Sequence, residues 1–227
     1  FAVANGHPYE AAPAFEAGLA RLAPAERAPF ESLLFLDWRA AEAREDLPEA
    51  ARPDYAATFW RVNDPTPASP QNERLLEHRR RVVMAELLFG LSEKRIHGWD
   101  TAPGEALIRY GMPLSRTYTM GNPFPMLETV HRIKGREVAF DFVDANLSGR
   151  WLQPFNGGLP TTMDVEMSRV QSVGPELWPG PGLEPRFDVV QFRGADGETR
   201  LELSVAARQN GAAPESMKRS APRSNWS

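Results

Sequence analysis

Leu127-Glu128-Thr129-Val130-His131-Arg132-Ile133-Lys134-Gly135-Arg136-Glu137-Val138-Ala139-Phe140-Asp141-Phe142-Val143 reads as two β-prone runs, 127–133 and 137–143, joined by a tight turn at Lys134-Gly135. Val138, Phe140 and Phe142 share one face by the strand period of two, so this stretch predicts a hairpin with one apolar side. Further along, 187–193 and 199–205 straddle Gly194-Ala195-Asp196-Gly197 and predict a second hairpin. Glu105 to Tyr110 also alternates and reads as a short strand.

Upstream of about residue 97 the pattern is helical, with Ala, Leu, Glu and Arg dominant and apolar residues recurring at three and four. Asp54 to Val62 places Tyr55, Phe59 and Trp60 on one helical face. Asn63-Asp64-Pro65-Thr66-Pro67 breaks the chain, because each proline pushes the residue before it out of helical geometry. A long helix is expected from there, with Ser69 as its cap, Pro70 first and Glu73 in the first turn. Its expected apolar stripe is Leu76, Val83, Leu87 and Gly90, with Arg79-Arg80-Arg81 as a solvated face. The fold class that follows is α+β. A helical region, 1–97, packs beside an antiparallel β-rich part made of a junction and first β region, 98–160, and a hairpin region, 161–207; an extended tail, 208–227, follows.

The 227 residues are 42% hydrophobic and 25% charged, which suits a globular chain and excludes fibrous and broadly disordered classes. With no cysteine, thiolate nucleophiles, zinc knuckles and thiolate-held clusters are excluded. The net charge of -4 is spread evenly, 12 basic against 15 acidic residues in 1–97 and 14 against 15 in 98–227, so no half has a nucleic-acid footprint. Apolar runs are only a few residues long, so no transmembrane segment is expected. The chain opens at Phe1-Ala2-Val3-Ala4 with neither methionine nor a basic-then-apolar leader, as expected where a leader has been removed.

Across the helix-to-strand change run Phe59-Trp60-Arg61, Asp64-Pro65-Thr66-Pro67, Ser69-Pro70-Gln71-Asn72-Glu73, a long helix, Gly98-Trp99-Asp100-Thr101 and Ile108-Arg109-Tyr110-Gly111-Met112-Pro113. In order and spacing this resembles the bacterial GWxTD domain over about residues 50–145, and Gln191 to Arg200 resembles the β-rich segment that follows it in longer members. The signature ends in Asp, where this chain has Ala102; any catalytic role of that Asp would be lost here. The family has no established enzymatic activity, and its members are mostly exported or envelope-associated. The resemblance therefore implies a periplasmic or exported protein with protein partners, such as a membrane complex met at its extracytoplasmic face, and no cofactor.

The motif residues are Trp60, Asp64, Gly98, Trp99, Asp100, Thr101, Arg109 and Tyr110. Each has a structural use: Gly98 for close backbone approach, Trp99 to cover the junction, Asp100 and Thr101 to bond nearby backbone, and Tyr110 for the core. Arg109 is expected to pair with an acidic residue such as Asp64 or Glu73. As a set they read first as a fold-specifying motif and second as a ligand or partner site, since exposed aromatics and Arg form hot spots. His7, His78, His97 and His131 lack metal-ligand spacing, so no metal site is expected, and no residue is assigned a catalytic role. Two other functions have residues to support them. A carbohydrate- or peptide-binding module would stack ligand on Trp99, Trp151 or Trp178, and a hydrolase would converge carboxylates from Asp100, Asp141 and Glu128.

Overall fold

The computed structural model describes residues 8–67, 69, 71–121, 123–175, 183–193 and 199–209. The chain divides into two compact units, residues 1–176 and 177–227. In the first, α1 (Pro8–Leu19), α2 (Pro24–Glu31), α3 (Trp38–Glu45), α4 (Arg52–Val62), α5 (Glu73–Phe89) and α6 (Ala102–Tyr110) precede a three-stranded antiparallel sheet. Its strands β1 (Ser115–Met120), β2 (Pro125–Ile133) and β3 (Arg136–Val143) lie in chain order and are followed by α7 (Thr162–Arg169). The architecture is α+β, as the sequence pattern predicts.

The Lys134-Gly135 turn forms as expected, with φ of 48° and 79°, the two left-handed residues that match hairpin twist. Leu127, Thr129, His131 and Ile133 of β2 and Val138, Phe140 and Phe142 of β3 are buried on one face. They form one core with Val82, Ala85 and Phe89 of α5, Ala106 to Ile108 and Tyr110 of α6, and Met163 of α7. A second, smaller cluster joins Leu33, Leu36 and Trp60.

Glu105 to Tyr110 is helix, not strand. Thr101 caps α6 by accepting the Gly104 N–H, Pro103 stands in the first turn, Glu105 and Arg109 pair one turn apart, and Gly111 with φ of 90° ends it. Ala106, Leu107 and Ile108 are all wholly buried, so the segment is a core helix whose short apolar run carries no clear period.

Two expectations for α5 are also corrected. Its cap is Asn72, whose side chain accepts the Leu75 N–H, while Ser69 donates its hydroxyl to the Glu73 carboxylate. The buried stripe is Leu76, Arg79, Val82, Ala85 and Phe89, rotated from the expected one, so Leu87 is exposed; Arg79 and Arg81 are buried rather than solvated. Arg79 meets Glu16 of α1 at 2.5 Å. The helix α7, which the sequence reading omits, starts on a capping box between Thr161 and Asp164.

The second unit holds the expected hairpin, β4 (Leu183–Arg193) paired antiparallel with β5 (Thr199–Gln209), Phe187 opposite Val205. The turn at 194–197, Trp178 and the tail beyond 209 lie outside the described residues, as does His7. No helix among the described residues is long and apolar enough to cross a membrane.

Candidate functional site

The Gly98-Trp99-Asp100-Thr101 motif is a single 3-10 turn wedged between the end of α5 and the start of α6. A Cβ on Gly98 would fall 1.9 Å from the Ala85 carbonyl oxygen, and one on Gly104 would fall 1.8 Å from the Gly98 carbonyl oxygen. Only glycine fits either position, which is why the two helices approach closely here. Thr101 completes the corner: its hydroxyl donates to the Gly98 carbonyl at 2.7 Å and accepts the Gly104 N–H at 3.2 Å. From α5, the Glu86 carboxylate accepts the Gly98 N–H at 2.7 Å and lies 3.3 Å from His97 Nδ1. His97 stacks on Trp99 with centroids 4.4 Å apart, and Phe30 meets the Trp99 ring edge-on at 6.2 Å.

Ala102 donates its N–H to the Trp151 carbonyl, tying the corner to the segment after the sheet. Asp100 is exposed on the turn. The other expected residues lie elsewhere. Arg109 is buried at the far end of α6, where it pairs with Glu105 at 2.8 Å and donates to the Phe35 and Gln171 carbonyls. The expected pairing with Asp64 or Glu73 does not form: Asp64 accepts the Thr66 N–H, and Glu73 is held by the Ser69 and Thr66 hydroxyls. Those two donors keep the Glu73 carboxyl below its ordinary range against the opposing effect of partial burial. Tyr110 stacks on Phe140 at 5.3 Å, and burial pushes its phenol well above the usual range. Trp60 belongs to the small cluster, edge-on to Phe59 and 5.5 Å from His78.

Residues the sequence reading passed over hold the same region together. Arg81 of α5 donates to the carbonyls of Ile108, Arg109, Val173 and Gly174 and pairs with Glu77. Its neighbour Arg74 donates to Ser172, and burial beside Arg81 lowers the Arg74 pKa to about 10. The spacing of Leu76, Arg79 and Val82 signals a buried arginine only at position 79; nothing comparable marks Arg81 or Arg74.

The three carboxylates do not converge. Glu128 and Asp141 are direct cross-strand partners on the outer face of the sheet, and Asp100 is on the turn before α6. Trp151 is half-buried against the core, and His97 covers one face of Trp99. No three metal-capable side chains cluster among the described residues.

One margin of the sheet in the first unit is open. Every residue of β1 is exposed. Pairing of Tyr118 with Leu127 and of Arg116 with Thr129 puts Tyr118, Arg116 and, by alternation, Met120 on the face that the helices bury on β2 and β3. Tyr118 is nevertheless 59% and Met120 84% exposed, because the helical layer stops one strand short of the edge. Trp151 meets Tyr118 at 5.9 Å, the inner end of this shelf.

No family model, no curated protein and no solved structure matches this chain.

Proposed function

We propose that this chain is a non-enzymatic interaction protein, an accessory subunit of a cell-envelope assembly, to which a protein partner docks along β1. The observation that carries the reading is the uncovered shelf of Arg116, Tyr118 and Met120 beside an open strand edge. An edge strand with free backbone groups accepts an added strand, and large exposed aromatic and methionine side chains supply the apolar contact. The periplasmic or exported location rests on the resemblance to the GWxTD domain, as does the absence of catalysis. The stacking platform is less favoured at Trp99, whose face His97 already occupies.

The test is native mass measurement of the protein purified from its own envelope, with and without Tyr118→Lys. A co-purifying protein that is lost with Tyr118→Lys supports the reading. A strictly monomeric protein, or a partner indifferent to the substitution, contradicts it.

A further inference from the structure

A cleft opens at the opposite margin of the sheet, where β3 meets residues 153–163. Its origin is legible residue by residue. Val143 and Leu152 exchange both backbone hydrogen bonds, so Leu152 begins a fourth strand against β3. The next hydrogen-bonded partners in that register would be Asp141 and Pro154. Pro154 has no N–H to give, the ladder stops, and the chain peels away. The backbone N–H and C=O of Asp141 face away from β2, as those of Val143 do, and so point into the gap.

The gap encloses about 120 Å³, room for several waters or the polar edge of a small molecule. Phe140 and Met163, both buried, form its apolar floor. Asp141, Gln153, Asn156 and Thr162 border the gap, Asp141 from the edge of β3 with its carboxylate on the outer face of the sheet; no described lining residue is cationic. Gln153 is held in place by the Thr161 hydroxyl at 2.5 Å. Phe155, between the lining residues Pro154 and Asn156, is 92% exposed.

We propose that this cleft binds a carbohydrate, with sugar hydroxyls on Asp141, Gln153 and Asn156 and a pyranose face on Phe155. A sugar hydroxyl is donor and acceptor at once, which suits a carboxylate beside neutral amides. An anionic ligand would meet Asp141 and its neighbour Glu128 with no cation among the described lining residues. An added peptide strand is disfavoured at the Val143 end of the gap, where Leu152 already holds both backbone hydrogen bonds of β3. This site is separate from the β1 shelf, so either proposal stands without the other.

The probes are D-glucose, N-acetylglucosamine and the β-1,4-linked trimer of each, titrated into the full chain and followed by backbone amide NMR. Saturable shifts confined to Asp141 and residues 153–162 are expected in the millimolar range typical of small polar ligands. Phe155→Ala and Asp141→Asn, both at exposed positions, should each weaken binding about tenfold, the loss of roughly one good contact; the unfolding midpoint should stay unchanged in Phe155→Ala and rise slightly in Asp141→Asn, which relieves the repulsion with Glu128. Tyr118→Lys should leave binding as it is. The proposal is overturned by an absence of saturable shifts up to about 50 mM, far above such constants. Binding that ignores both cleft substitutions, or preferential salt-sensitive binding of a tetralysine peptide there, overturns it equally.

Discussion

At the scale of single residues, Gly98 and Tyr110 make opposite demands on the fold. Adding one methyl at Gly98 drives a Cβ into the Ala85 carbonyl, which is backbone and does not rotate aside. Gly98→Ala is therefore expected to lower the stability by about 3 kcal/mol or more, the upper range for overpacking, measured as a fall in the urea midpoint. Tyr110 carries a buried hydroxyl with no hydrogen-bond partner among the described residues. Removing an unsatisfied buried group is free of the usual loss, so Tyr110→Phe should leave stability unchanged or raise it by up to about 1 kcal/mol. A loss of more than about 2 kcal/mol would mean that the hydroxyl has a partner after all. The roles of Gly98 and Thr101 were legible because close approach and capping are local chemistry. The partner of Arg109 is not: Glu105 meets it only because 105–110 is helical, since i,i+4 neighbours meet on a helix but stand about 13 Å apart along one face of a strand.

At the scale of elements, period and caps decided which segments were readable. The β2–β3 hairpin alternates over both arms and turns on Lys134-Gly135, so its register followed from the sequence. For α6 the nine residues are buried on nearly every side, which erases the helical period and leaves only Thr101, Pro103 and Gly111 as signals. In α5 the expected stripe is displaced because arginines are buried there, and their guanidinium groups are satisfied by the carbonyls of Ile108, Arg109, Val173 and Gly174 and by the Glu16 and Glu77 carboxylates. No composition rule reveals carbonyls that arrive from about ninety residues away in sequence. The hairpin also contains a local conflict. Glu128 and Asp141 are directly paired like charges, in the register where cross-strand side chains approach most closely. Glu128→Gln is expected to stabilise the protein by roughly 0.2–1 kcal/mol, the range for a cross-strand pair. The gain should shrink in high salt in a thermal-unfolding series, and no gain at low salt would show that the carboxylates are held apart.

At the scale of the whole molecule, two histidines link the core to pH. His78 lies wholly buried with its Nε2–H donated to the Pro29 carbonyl, and burial lowers its pKa to about 3 against the opposing effect of that hydrogen bond. His131 bridges the Gly111 carbonyl and the Thr129 hydroxyl, and burial lowers its pKa to about 4. Both folded values lie below the unfolded value of 6.5, so the folded state prefers neutral imidazole. Their contribution is complete above pH 6.5 and is lost as the pH falls through the window down to about 4 and then 3. For His131 alone this amounts to roughly 3 kcal/mol. The urea midpoint of the wild type should drop between pH 7 and pH 4, and His78→Gln with His131→Gln should flatten that slope; equal slopes would mean the rings are already charged.

Docking of a partner along β1 is tested by amide hydrogen exchange on the full protein, free and in the envelope complex. By strand alternation the N–H groups of Arg116, Tyr118 and Met120 face the open edge and should exchange fast in the free protein. In the complex those amides should become strongly protected, while β3 and α6 change little. Protection that appears elsewhere, with Arg116, Tyr118 and Met120 still exchanging freely, would show that no partner docks along β1.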